Sequence, residues 1–577
     1  MKLILKYLKK YKLLFVLDFI SVFGFALADL GIPFLISQMI DQGVEMNDSY
    51  ILFARFWGIV AAAGFGVFGM IMLCLLSTRI STNIVYDIRK DLFDHVMTLS
   101  HEQIQKFGVS SLSTRTGSDP YQIMMFLNTL LRSALMTPVV VILSAALMMM
   151  TSMNLAWIVI AAMPLIVLEV IVVFAVARPL SERQQKSIDR INEILRDNMS
   201  GIRLIRTFNN QKLEEKRFEK ENEKYRSATV PLFKLMNISK PLVFFMMNLA
   251  SLVVYYFAAI LIQNGQVQIG QLIAFMDYLF QAMMSILIFC LVFTMYPKAE
   301  VSARRIQEVL DAEPAIDLSQ GGAELEPVTT LEFDHVQFAY PSADGLALQD
   351  ISFQASAGQK IAVVGSTGSG KSTLGKLIPR FYEVTEGSIK INGRDVREYD
   401  PQSLRSRIGH ISQKSHIFSG TVRDNLRFSC PQASEKQLEE AAGTAQALSF
   451  IQKRPGGFDS VISEEGGNLS GGQKQRLSIA RGLMKNPGLY IFDDSFSALD
   501  FATDARLRSA LAPLLQKSIF LIMAQRISTI VDADLIVVLD QGKTAGMGTH
   551  AHLFETCRVY RELVLSQACE QEVLTHA

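Results

Sequence analysis

Cysteine is scarce in this 577-residue chain, and it is unpatterned. Cys74, Cys290, Cys430, Cys557 and Cys569 are five in number and far apart. No CxxC or metal-type spacing occurs, so a disulfide scaffold and a zinc fold are excluded and the five read as reduced thiols. Net charge is missing too: 56 Lys and Arg against 55 Asp and Glu leave +1. Such a balance exerts no global pull on nucleic acid, and no nucleic-acid partner is expected. A cleavable leader is also not indicated. Residues 1–12 are basic, but the apolar stretch behind them continues for about 25 residues. That is too long for a signal-peptide core and suits a membrane anchor.

Apolar residues are abundant. They make up 50% of the chain, and the mean hydropathy is +0.25. Their distribution is lopsided. Long apolar blocks fill the chain up to about residue 300, and Gly-punctuated short strands and helices follow from about residue 325. The stretch 311–329 carries Pro, Gly and acids and reads as a linker. The expected division is therefore a transmembrane domain over 1–310, the linker 311–329, and a second domain over 330–577.

Six segments approach the roughly 20 apolar residues needed to cross a bilayer: 13–40, 53–77, 136–151, 156–177, 242–262 and 269–293. The third has the least distinct start, with polar residues before Pro138. Lys and Arg crowd the segments 79–132 and 178–240 and are absent from the connections 41–50 and 263–268. The positive-inside rule then places both termini and the second domain in the cytosol, on the inner face of the cell membrane. The inner connections are long. Their apolar residues recur near helical period at 84–100 and 187–208, which predicts helices running well beyond the membrane.

Gly64, Gly66 and Gly69 form a GxGxxG pattern. They lie inside an apolar run, so close helix packing is the better reading than a dinucleotide loop. Glu169 and Asp277 fall within the fourth and sixth segments. Acids at membrane depth are costly, so both are candidates for substrate contact, against the plainer reading of pairing within the bundle. Asp18 and Asp29 lie nearer segment ends and rank below them. Met and Phe at 148–150, 244–247 and 283–284 offer an adaptable apolar surface, with lipid contact or packing as the simpler use.

The second domain holds the chemistry. Gly365, Ser366, Thr367, Gly368, Ser369, Gly370, Lys371 and Ser372 match GxxxxGK[ST]. Chance matches in a chain this long have odds on the order of 1 in 50. The context also fits, with an apolar strand before the loop and a helix expected over 372–381. Backbone N–H groups of such a loop wrap phosphates, Lys371 supplies a point charge, and Ser372 a hydroxyl for magnesium. Some 120 residues on, the apolar run 489–492 ends in Asp493 and Asp494. A carboxylate at the end of a parallel strand beside the phosphate loop suits a magnesium site. Between them lie Leu469, Ser470, Gly471, Gly472 and Gln473, opening another helix. A helix N-terminus is a ready anion site.

Together these motifs resemble the ATP-binding cassette exporter family, specifically a bacterial multidrug-type half-transporter, over about residues 10–565. The resemblance implies an all-α six-helix transmembrane domain with cytosolic extensions, fused to a mixed α/β P-loop cassette. It implies ATP and Mg²⁺ as ligands and ATP hydrolysis coupled to transport. It assigns Tyr340 to adenine stacking, residues 365–373 (through Thr373) to the phosphates, and Gln413 with Asp493 and Ser372 to the metal side. Leu469 to Gln473 become the signature that serves a partner chain's ATP, and Asp500 ends a loop that crosses the dimer interface. His101–Phe107 and 208–218 sit where the family places its coupling helices.

Two positions depart from the pattern. Asp494 stands where the family usually has the catalytic Glu, and Gln525 where it has the switch His. Gln hydrogen-bonds but holds no extra proton or charge. Misplacing a reacting group by about 1 Å can cost about 100-fold. The expectation is a site that binds ATP and hydrolyses it slowly. Paired with the intact signature, it implies a heterodimer in which a second half-transporter supplies the competent site. The expected cargo is small amphipathic or hydrophobic molecules. The alternatives are a homodimeric lipid or peptide exporter and an ATP-gated membrane regulator that does not pump.

Overall fold

The computed structural model describes residues 1–45, 47–314, 322–340, 343 and 345–575. Part of the expected linker, 315–321, lies outside the described residues, as do the side chains of Cys290 and Cys569. Cys74, Cys430 and Cys557 are free thiols. Two compact units emerge: Met1–Met97 with Val109–Ala312, and Thr98–Gly108 with Glu313–Ala577.

The first unit is helical, and six of its helices are long and apolar enough to cross a membrane. The first span runs through Lys12–Gln38, the second through Ser49–Thr98, and the fourth through Met153–Ser200. The fifth occupies Gln211–Gln263 and the sixth Ile269–Leu310. The third, the least distinct in sequence, is one continuous element over Val109–Thr151. Its blurred start has a cause. A π-helical turn, Leu130–Ala134, joins the polar helix Val109–Thr129 to the apolar Met136–Thr151. In the most apolar window of the fourth span, 7% of residues are buried within the chain. A protein core cannot account for that surface, so lipid or other protein must cover it.

Leu30, Met148, Val159, Met247, Phe275 and Met283 build the bundle core. The Met and Phe residues therefore divide. Met148, Met247 and Met283 are packing residues, whereas Met150 and Phe245 are exposed. The GxGxxG pattern packs as expected at two of its positions. A Cβ on Gly66 would sit 3.1 Å from the Ala28 Cβ, and one on Gly69 3.2 Å from the Phe25 nitrogen. Gly64 has open space around it.

The long inner helices form, but two boundaries differ from the sequence reading. The fourth helix stops at Gly201, and Ile202–Thr207 forms a separate short helix. Asn209 then takes a left-handed conformation (φ 54°) before the fifth helix begins at Gln211. The expected coupling segment 208–218 is thus a turn plus the start of a long helix. The other, His101–Phe107, is a helix as expected. Ser100 and Gln103 cap it reciprocally, each side chain bonding the other's backbone N–H.

The second unit is α/β. A six-stranded sheet runs in the spatial order Lys543–Gly548, Leu535–Asp540, Lys360–Gly365, Ile519–Met523, Leu489–Asp493, Ile408–Ile411. All neighbours are parallel except the first pair. The strands Lys360–Gly365, Leu489–Asp493 and Ile519–Met523 are buried at every residue. That is why they read as unbroken apolar runs. A four-stranded antiparallel sheet from Thr330–Ala339, Leu346–Ser356, Glu386–Ile391 and Arg394–Asp395 covers one side. This order brings the carboxyl ends of the three central strands together, where ligands bind in open parallel sheets.

Candidate functional site

The three strand ends create one cleft of about 400 Å³. Tyr340, Thr367 to Thr373, Gln413, Asp493, Asp494 and Gln525 line it. The sequence motifs at Tyr340, the phosphate loop, Gln413, the Asp pair and the switch loop therefore converge.

The phosphate loop turns tightly because its glycines permit it. Gly370 has φ 102°, and a Cβ there would lie 2.6 Å from the Leu348 side chain. The helix behind the loop is Lys371–Leu377, shorter than the expected 372–381. Pro379 has no N–H to donate to the carbonyl four residues back, and Arg380 turns left-handed (φ 52°), which ends the run early. Lys371 Nζ donates to the carbonyls of Gly365 (2.7 Å) and Ser366 (2.8 Å). Burial pushes its ammonium below the usual lysine range, against the pull of Asp494 and Asp493. Ser369 Oγ is buried and has no hydrogen-bond partner. An unsatisfied donor beside a folded-in cation is a cradle that a polyphosphate completes. At the opposite end, the Tyr340 hydroxyl meets Thr373 Oγ1 at 2.9 Å.

Ser372 Oγ donates to Asp493 Oδ1 at 2.8 Å. Asp493 is 4% exposed, and burial raises its carboxyl above the usual range. Among the described residues, no group of three or more His, Cys, Asp or Glu is placed to hold a metal ion, and the oxygens here are of another kind. That donor set, a hydroxyl, a carboxylate and the amide oxygen of Gln413, fits magnesium, which binds through one or two protein oxygens plus substrate phosphates. When bound, the ion neutralises charge on the outer phosphates.

Asp494 has φ 46°, a left-handed conformation that Asp tolerates better than most residues. Its backbone N–H donates to Met523 O at 2.9 Å, tying it to the neighbouring strand. Its Oδ2 accepts from Gln413 Nε2 at 3.1 Å. Burial is the largest influence on this carboxyl and raises it; Asp493 adds to the rise, and Gln413 and Ser497 oppose it. Gln525 lies on the exposed lip of the cleft.

The signature residues lie elsewhere in this chain and do not line the cleft. Ser470 caps the helix Gly471–Leu483 in a reciprocal box with Gln473. A Cβ on Gly472 would lie 3.3 Å from Ala498 O, so the signature and the 497–500 loop pack together. Asp500 also stands outside the cleft and caps the helix Phe501–Leu515 through Thr503 N–H.

In the membrane unit, Glu169 Oε1 accepts from Ser239 Oγ at 2.8 Å, and its Oε2 is buried without a partner. Ile158, Ala161 and Leu165 face Met246, Ala250 and Val253 across a groove of about 260 Å³. Glu169 and Ser239 continue the same two helical stripes one to two turns on. Asp277 is exposed. Two acids outrank their sequence positions. Asp18 is completely buried with both oxygens unpartnered. Asp41 accepts from Ser37 Oγ and Gly270 N–H, holding the start of the sixth span. Burial of a single residue depends on helix rotation, which a hydropathy pattern does not fix.

The sequence matches two family models, the ABC transporter transmembrane region over residues 15–286 and the ABC transporter domain over 348–497. It is 31% identical to the ATP-dependent lipid A-core flippase of Haemophilus influenzae, covering 94% of this chain and 92% of that protein. It is 30% identical to a Staphylococcus aureus protein named for multidrug export, covering 97% and 98%. A bacterial Atm1-family ABC exporter solved with ATP bound has the same fold, with a TM-score of 0.81 at 24% identity over 96% of this chain and 98% of that one. The chain belongs to the ATP-binding cassette transporter family, as a multi-pass exporter whose cassette couples ATP hydrolysis to transport.

Proposed function

We propose that this chain is the slow-site half of a heterodimeric exporter of amphipathic molecules, with its cassette and both termini in the cytosol. The observation that carries this reading is the composition of one cleft. Its phosphate loop is complete, with Lys371 and an unpartnered Ser369 hydroxyl, while its reacting end holds Asp494 and Gln525. Asp494 is one methylene shorter than Glu and is tied by Gln413 and its own backbone. A water held for attack is sensitive to about 1 Å of displacement. The signature helix is fully capped, so it is ready to serve a partner's nucleotide. Magnesium would be held by Ser372, Asp493 and Gln413.

The helix His101–Phe107 supports coupling between cassette and transport. Tyr382 of the cassette donates its hydroxyl to Gln105 Oε1 (3.2 Å), and His101 stands edge-on to the same ring at 5.7 Å. This helix groups with the cassette although it connects two membrane-spanning helices. Closure of the cassettes thus reaches the spans through a packed element.

The cargo class is supported by the groove between the fourth and fifth spans. Its walls are apolar, and Glu169, with one unpartnered carboxylate oxygen, follows Leu165 one turn further along the same helix. This chemistry favours a lipophilic cation over a lipophilic anion. Asp277, on the exposed side of the sixth span, is the second candidate contact. Two relatives are named for lipid A-core flipping and for multidrug export, which agrees. The test is uptake into inverted membrane vesicles containing the chain and its partner half. ATP-dependent accumulation of a lipophilic cationic dye, reduced several-fold by Glu169→Gln, supports the reading. Nucleotide-dependent leakage without accumulation points to a gate that does not pump.

A further inference from the structure

The switch loop is held by a side chain that no motif marks. The strand Ile519–Met523 ends, and Ala524 N–H bonds Val363 O at 3.1 Å. After Ala524 the chain leaves the sheet. The carbonyl of Gln525 accepts from Gln567 Nε2 at 2.6 Å. Two residues on, the N–H of Ile527 donates to Gln567 Oε1 at 2.8 Å. One carboxamide therefore pairs with the backbone on both sides of Arg526, as a peptide group would in a ladder. Gln567 belongs to the helix Arg558–Thr575, some 40 residues further along the chain. That helix is itself anchored: Tyr560 is fully buried, and its hydroxyl meets His550 Nδ1 at 2.8 Å.

The rest of the loop has other supports. Lys360 Nζ bonds Thr529 O, and Arg508 bonds Ser528 O, each at 3.2 Å. Those contacts lie beyond Ile527. The carbonyl of Gln525 itself is bonded to Gln567. The side chain of Gln525 lines the same cleft as Lys371, Asp493 and Asp494.

We infer that Gln567 is a positioning residue for Gln525, and that the helix Arg558–Thr575 is the backstop of the loop from which Gln525 would reach the outermost phosphate of a bound nucleotide. Gln567 lies outside the nucleotide cleft and acts by fixing the backbone from which Gln525 reaches in. Its removal leaves the cradle for the inner phosphates intact. The clamp therefore matters for ATP and not for ADP, which a general packing role does not predict.

The test compares MgATP and MgADP affinities of the full-length chain in lipid nanodiscs, for wild type, Gln567→Ala, Gln567→Glu and Gln525→Ala. Gln567→Glu is nearly isosteric. It still accepts from Ile527 N–H but sets a carboxylate oxygen against the Gln525 carbonyl. Each net hydrogen bond corresponds to roughly a two- to tenfold effect, of which the loop passes on a part. The expected result is an ATP affinity reduced about three- to tenfold in both Gln567 variants, with ADP affinity and melting temperature unchanged in Gln567→Glu. Equal weakening of both nucleotides, or no change in the ATP-to-ADP ratio, overturns the inference. Since it rests on Gln525 sensing the outer phosphate, Gln525→Ala separates the two ideas. A changed ratio there without one in the Gln567 variants sinks the clamp alone, whereas an unchanged ratio in Gln525→Ala sinks both.

Discussion

Asp494 combines three features that rarely coincide: left-handed backbone, partial burial and a carboxyl raised above its usual range. Residues held in such conformations concentrate at functional sites. The raised carboxyl has a thermodynamic sign. Its folded state binds a proton more readily than its unfolded state, so its favourable contribution is full below the ordinary carboxylate range and is lost as pH rises through the raised value. At neutral pH the charged group destabilises the nucleotide-free cassette. Asp494→Asn is therefore expected to melt higher than wild type at pH 7.5, by about 2 °C, with the gap closing near pH 4. A lower melting point for the variant at pH 7.5 contradicts this assignment. Lys371→Ala removes the cation that fills the loop and is expected to weaken ATP binding more than about tenfold, read by nucleotide titration. The residue types of this cleft were legible in sequence because each motif is local, fixed by a loop and the strand before it. The Gln567 clamp was not, because it joins segments some 40 residues apart through a common side chain. The complete burial of Asp18 is not legible for a similar reason, since it follows from helix rotation.

At the scale of elements, glycine and proline punctuation was readable where it acts within one turn. Gly201 stops the fourth helix and Pro379 shortens the phosphate-loop helix. Only the first of these follows from a pattern break that also has a visible partner, the Gly201 N–H bonded to Asp197 O at 2.8 Å. The π-helical turn Leu130–Ala134 has no such signal, and the third span starts indistinctly because the polar helix Val109–Thr129 runs straight into it. The second span makes a sharper test. Gly66 and Gly69 lie against the first span, whereas Gly64 has nothing within 4 Å. Close helix approach in lipid relies on such small residues. Gly69→Leu is expected to lower the melting temperature of the purified protein by several degrees, and Gly64→Leu to leave it unchanged. Equal effects at the two positions would show that the two helices do not meet along this face. The carboxyl-end gathering of three parallel strands was foreseeable from order and apolarity, because such strands are buried on both faces.

At the scale of the whole molecule, membership of the exporter family and the fold are settled by similarity along nearly the full chain. The proposed pairing turns on two side chains, Asp494 and Gln525. An intact signature outside its own cleft has no use within one chain, so its value depends on a second cassette. On the proposed reading, two copies of this chain would bring two slow sites together. A partner with Glu and His at the matching positions would bring one fast site, completed by Ser470, Gly471, Gly472 and Gln473 of this chain. The exposed apolar surface of the fourth span is likewise consistent with a subunit that spans lipid beside another half. Steady-state ATP hydrolysis, by the purified chain alone and by the chain co-purified with a half-transporter that carries Glu and His at the matching positions, tests this most directly. The chain alone is expected to turn over at less than about a hundredth of the paired rate, with Asp494→Asn leaving the paired rate largely intact. Robust turnover by the chain alone, abolished by Asp494→Asn, would contradict it.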